Sequence, residues 1–208
     1  MKKIFILLTI AFFFTSFTPK EITWIAIGDS ITYLNDHPDE TGNRVTKGYM
    51  TRVMEKTPGL QCINQGHNGW TAVKIAKEID QLGLTKAAIY TIFLGTNDWW
   101  AGLPLGTIND YTDNTGNSTV YGAFRTIINK IKILNSEAII ILITPMQRTD
   151  FIYIADMRNN AWGSYKEKEG QSLEQFAEAV KAIGKQENSQ VVDLYHNSEI
   201  TLENMVKY

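Results

Sequence analysis

A chain of 208 residues, 44% of them hydrophobic and 20% charged, holds one domain's worth of sequence with enough apolar material for a core. Twenty basic residues stand against 22 acidic ones, and no basic stripe runs along the chain, so the electrostatic footprint of a nucleic-acid binder is excluded. Cys62 is the only cysteine, which excludes an internal disulfide.

In chain order, the first segment is MKKIFILLTIAFFFTSFTPK: two lysines, an apolar stretch from Ile4 to about Phe14, then small polar residues. That is the build of a secretory signal peptide over residues 1–19, and the apolar stretch is too short for a comfortable membrane span. Export to the periplasm or the medium is the expectation, with an uncleaved N-terminal anchor as the alternative. No integral span is expected in the mature chain, residues 20–208. Its oligomeric state is not legible.

Apolar, β-branched runs then appear at Ile22–Ile27, Leu60–Ile63, Ala87–Leu94, Ala138–Thr144 and Gln190–Leu194. IYTIFL and IIILIT are nearly continuous in apolar residues, as expected when both faces of a parallel strand are covered. Helical spacing fills the gaps at residues 71–82 and 120–134. In QSLEQFAEAVKAIGK, Ser172 and Gln175 form a capping box ahead of the stripe Leu173, Phe176, Val180 and Ile183. Trp99–Asn117 and Gln147–Gly170 read as long loops. Strand alternating with helix predicts an α/β fold with a parallel sheet, whose working site lies beyond the carboxyl ends of the strands.

Three polar motifs sit at those ends: Gly28-Asp29-Ser30, then Asn64-Gln65-Gly66-His67-Asn68-Gly69, then Gly95-Thr96-Asn97-Asp98. Each alone is an ordinary turn or cap. Together, after three successive buried strands, they supply what acyl transfer needs. Ser30 offers a hydroxyl nucleophile, and glycine after the second strand leaves backbone N–H open to a reacting carbonyl. Asn97 adds an amide donor. No Gly-x-Ser-x-Gly elbow, phosphate loop or His-Glu-x-x-His is present.

On these motifs the chain resembles the SGNH hydrolases, also called GDSL esterases and lipases, over residues 22–145 and more loosely over the fifth strand. The resemblance implies a three-layer α/β/α sandwich with a parallel, flavodoxin-like five-stranded sheet. It also implies ester cleavage without a metal or other cofactor. By it Ser30 is the nucleophile and an oxyanion donor, Gly69 gives the next donor N–H, and Asn97 gives the side-chain donor. Acetyl or other acyl groups on carbohydrates are among the substrates it suggests, so the expected partner is a small-molecule or glycan ester. Asp29, Trp99 and Trp100 are the candidate substrate contacts, with the tryptophans either stacking on sugar or packing their loop onto the domain. Arg148, after the fourth strand, is set either to clamp an acidic group or to pair with Asp150.

The base is harder to find. His37 lies in a polar loop, and His67 either lines the cleft or holds a plain loop position. Asp193-Leu194-Tyr195-His196 has the Asp-x-x-His spacing of the family, but Asp193 reads as part of a strand and only NSEITLENMVKY follows. Three explanations stand, in this order: a chain incomplete at its C-terminus and lacking the last helix; service by Asp193 and His196; or a silent module that binds glycan or ester without turnover.

Overall fold

The computed structural model describes residues 21–42, 45–148, 150–152, 160–162, 170–201 and 204; for 150–152 and 160–162 it describes the backbone alone. The leader-like residues 1–19 lie outside this set. Strand β1 (Ile22–Gly28) runs into a single-turn helix α1 (Ser30–Tyr33). Next come a 3₁₀ turn at Pro38–Thr41, α2 (Tyr49–Lys56), β2 (Leu60–Gly66) and α3 (Ala72–Glu78). After β3 (Ile89–Phe93) come α4 (Thr96–Ala101), α5 (Ile108–Thr112) and α6 (Val120–Leu134). Then follow β4 (Ile139–Ile143), a short antiparallel pair β5 (Asp150–Ile152) and β6 (Asn160–Trp162), α7 (Leu173–Glu187), β7 (Gln190–Val192) and α8 (Leu194–Asn197).

All five predicted strands form one parallel sheet in the order β2-β1-β3-β4-β7, the flavodoxin-like order. Alternate residues divide its two faces. Ile25 and Ile27 of β1, Tyr90 and Ile92 of β3, and Ile140 and Leu142 of β4 join the large core with α3, α6 and α7. Trp24 and Ala26 point the other way, toward Met50 of α2 and Leu60.

Two stretches read as loops contain more order than expected. Helices α4 and α5 lie between Thr96 and Thr112. Their glycines and polar residues are helix caps: Gly95 and Gly102 flank α4, and Thr107 with Asp110 makes a capping box for α5. The strand pair β5–β6 falls within Gln147–Gly170. The capping box at Ser172 and Gln175 opens α7 as predicted, with Gln175 Oε1 accepting from Ser172 N–H at 2.8 Å.

Candidate active site

Two glycines with no room for a side chain set the turn that carries Ser30. Gly28 and Gly66 end β1 and β2 opposite one another. A Cβ on Gly28 would lie 2.0 Å from Thr32 Oγ1, and one on Gly66 would lie 2.1 Å from Tyr33 N. Their bareness lets α1 settle directly on the strand ends. Asp29 is the N-cap of α1, its Oδ1 accepting from Ile31 N–H at 3.0 Å, and Ser30 is the first helical residue. Asn64 ties β2 to the same helix through Nδ2, which donates to Thr32 O at 3.0 Å.

Ser30 and Asn97 line one cleft of about 300 Å³, together with Asp29, Ile31, Thr96, Met146, Gln147, Arg148 and Ile200. Asn97 Nδ2 donates one hydrogen to Trp70 O at 2.9 Å, and an amide nitrogen carries a second. That bond also fastens the loop bearing Gly69, which is exposed with φ +74°, the left-handed region that favours glycine. Gly69 is therefore one residue from a group Asn97 holds, but it is not among the residues lining the cleft with Ser30.

The strand-end motif gives Asp98 no role of its own, but the fold does. The residue is completely buried, and its carboxylate accepts from Ala72 N–H at 2.8 Å and Val73 N–H at 3.3 Å, which locks the first turn of α3 to α4. The signal available was the start of the 71–82 helix, whose leading N–H groups need acceptors. Burial pushes the carboxyls of both Asp29 and Asp98 up to about 6, and Asp98 adds like-charge repulsion on Asp29. Arg148 is drawn down by burial, with the Asp29 charge opposing that fall.

Several expected contacts change. Asp29 reaches the cleft, but its carboxylate serves the α1 cap, so it positions Ser30. Trp99 is only 1% exposed inside the large core, which overturns the reading of it as a sugar-stacking platform. Trp100 is half-buried and packs against the same core; neither indole lines the cleft. The physical reason is α4: a helix turns Trp99 inward where a loop would have left it outside. His67 stacks on Trp70 at 4.3 Å between ring centroids, away from the cleft-lining set, and burial draws its imidazole down. His37 stacks on Tyr33 at 3.9 Å. The side chain of Asp150 lies outside the described residues, so its pairing with Arg148 does too.

Asp193 does not belong to the strand. β7 ends at Val192, and Asp193 caps α8. His196 Nδ1 sits 2.9 Å from Asp193 Oδ2, so the two form a pair, but His196 Nε2 faces α7, 3.6 Å from Glu174 Oε1 and 3.9 Å from Glu178 Oε1. Two strands separate β7 from β1 in the sheet, three spacings of ~4.8 Å or roughly 14 Å. The chain beyond α8 returns toward β1, since Ile200 lines the cleft.

Residues 26–207 match the family model described as GDSL-like Lipase/Acylhydrolase family. A possible lipase from Chitinophaga pinensis is 65% identical, with a TM-score of 0.83, over 88% of this chain and 71% of that one. A protein from Lactobacillus plantarum, 18% identical, shares the fold at a TM-score of 0.68 over 91% of this chain and 85% of that one. A catalytic mutant of an acetylxylan esterase from Geobacillus stearothermophilus, 19% identical, does so at 0.54 over 90% and 81%. No curated protein matches the sequence.

Proposed function

The chain belongs to the GDSL-like lipase/acylhydrolase family, and on that premise we propose that it is a serine esterase whose nucleophile is Ser30. The observation that carries the reading is the shared cleft. Ser30, from the end of β1, and Asn97, from the end of β3, line one small pocket.

In the reaction proposed, Ser30 Oγ attacks the ester carbonyl as it loses its proton, the carbonyl oxygen takes the negative charge, and the C–O bond to the alcohol breaks as a proton passes to the departing oxygen, leaving the acyl group on serine. Water then releases the acid. Ser30 N–H and the second hydrogen of Asn97 Nδ2 hold the oxyanion, each donor worth ~3–4 kcal/mol of barrier. The substrate is a carboxylic ester small enough for the cleft, with an acylated carbohydrate as one candidate. The leader-like first residues support an exported protein. Among the described residues no helix is long and apolar enough to cross a membrane.

Hydrolysis of p-nitrophenyl acetate by wild type and Ser30→Ala tests the reading. A loss of about 10³-fold or more in kcat supports it. Equal rates would end it. A second reading, a module that binds esters without turnover, is favoured by one observation: no histidine lines the cleft among the described residues. Saturable binding of an ester with no turnover in wild type selects that reading.

A further inference from the structure

We propose that Asp98 is a positioning residue for the reaction: it holds the Trp70 carbonyl against Asn97 and so keeps a hydrogen of the Asn97 amide turned to the cleft. The proposal rests on the esterase reading above. Asn97 and Asp98 are consecutive in the first turn of α4, where neighbouring side chains leave the helix about 100° apart. Asn97 lines the cleft with Ser30, while Asp98 is fully buried. Both reach the same short stretch at the start of α3. Asn97 Nδ2 donates to Trp70 O at 2.9 Å, and Asp98 accepts from Ala72 N–H at 2.8 Å and Val73 N–H at 3.3 Å.

Those bonds leave Trp70 little freedom. The first N–H groups of a helix have no partner within it. In α3 the Thr71 hydroxyl oxygen accepts from Lys74 N–H at 3.0 Å, and the Asp98 carboxylate, brought in from α4, accepts from the two residues before it. The charge makes these bonds stronger than those between neutral groups. Trp70 immediately precedes the cap. Its own N–H donates to His67 O at 3.1 Å, its indole stacks on the His67 ring, and Lys74 Nζ lies 4.6 Å from the indole centroid. Residue 70 is thus held on one side by its own turn and on the other by a cap tied to α4.

The amide of Asn97 has two ends of opposite character: Nδ2 donates, Oδ1 accepts, and a half-turn of the group exchanges them. The Trp70 carbonyl can only accept, so it pairs with Nδ2 and settles which end is which. Nδ2 then has one hydrogen committed and one left for the carbonyl oxygen of the ester. In the reversed amide, Oδ1 would face that oxygen as its charge grows, and a donor would become a repulsive neighbour. Loss of one such donor typically costs about 10²- to 10³-fold in kcat.

The test is a double-mutant cycle on kcat and KM for p-nitrophenyl acetate: wild type, Asp98→Asn, Asn97→Ala and both together, with folding checked by circular dichroism. Asp98→Asn is expected to lower kcat about 10-fold or more and to leave KM within about threefold, because the Asn97 donor acts on the transition state. Adding Asp98→Asn to Asn97→Ala is expected to lower kcat by less than about twofold further. A loss carried by KM, an additive loss, or a kcat within about twofold of wild type in Asp98→Asn alone overturns the proposal. If Asp98→Asn does not fold, Ala72→Pro attacks the same bond from its other end and is judged by the same criteria. Proline suits the first helical position and has no N–H to give. Ser30→Ala runs alongside, so loss of the esterase reading shows separately as rates unchanged by that substitution. In that event nitrogen relaxation of the Asn97 side-chain amide decides. An order parameter of about 0.85 in wild type that drops below about 0.6 in Asp98→Asn supports the proposal, and equal values overturn it.

Discussion

The two faces of the sheet are built differently. One is roofed by α3, α6 and α7, and its strand residues are shut away: Tyr90, Ile92 and Leu142 are fully buried. The other carries α2 over β1 and β2, and Tyr49 of α2 reaches across to Phe93 of β3. There an apolar groove of about 490 Å³ runs past Tyr49, Phe93, Ile141, Ile143 and Leu194. Ile139 is 55% exposed and Val192 43%. Neighbouring residues of one strand thus live in opposite surroundings. The lesson is that a run such as IIILI records the potential of a strand to be covered on both sides; it does not say that both covers are in place.

The sharpest way to break this contrast uses β4 alone. Leu142→Ala, on the roofed face, is expected to cost about 3–4 kcal/mol, because the cavity it leaves is walled by packed helices. Ile139→Ala, three residues earlier on the open face, is expected to cost less than about 0.5 kcal/mol. Urea denaturation of both variants measures the difference; similar losses would mean that the open face is covered in solution.

Next in size is a pH effect at the rim of the roofed face. Folding raises the carboxyls of Asp29 and Asp98 from 3.8 to about 6, so between these values the folded chain holds protons that the unfolded chain has released. Stability from these two groups therefore falls as pH rises through that window, by up to about 3 kcal/mol for either group. Denaturation midpoints are expected to be higher at pH 5.5 than at pH 8. Asp98→Asn is expected to flatten the slope; an unchanged slope would separate it from Asp98.

Smaller again is the ionic clasp over the roofed face. Glu187 of α7 accepts from Tyr111 of α5 at 2.6 Å and pairs with Lys132 and Arg125 of α6. Glu187→Gln keeps the shape and removes the charge, with an expected loss of about 1–2 kcal/mol read as a lowered thermal midpoint. The smallest stability change belongs to Ile139→Lys, within about 0.5 kcal/mol, but it is expected to reduce binding of a dye specific for apolar surface. Unaltered dye binding would place the sticky surface elsewhere.

What the sequence displayed follows the same division. Strands β1, β3 and β4 stand out because their apolar runs are long, and α6 is legible from Val120 to Leu134 because its buried stripe repeats over four turns. Helix α2 went unread: it has eight residues, buries only Met50 fully and starts at Gly48 without a side-chain cap. The polar residues between Trp99 and Asn117 looked like loop because capping residues and loop residues are the same few types. At the site, Ser30 and Asn97 were visible as strand-end residues. Met146, Gln147 and Ile200 were not, since lining a cleft leaves no periodic mark. Asp193 reads as strand in the sequence because a cap directly after a three-residue strand is indistinguishable from its last member.

The paired glycines beneath Ser30 carry an evolutionary corollary. Where the rim meets solvent, as at Asn68 and Gly69, the chain has room for other side chains. Positions 28 and 66 have no such latitude: even a methyl group there would strike Thr32 or the backbone of Tyr33 and lift the serine off its seat. Substrate preference in this scaffold is free to drift around a foothold whose height is set by two hydrogen atoms.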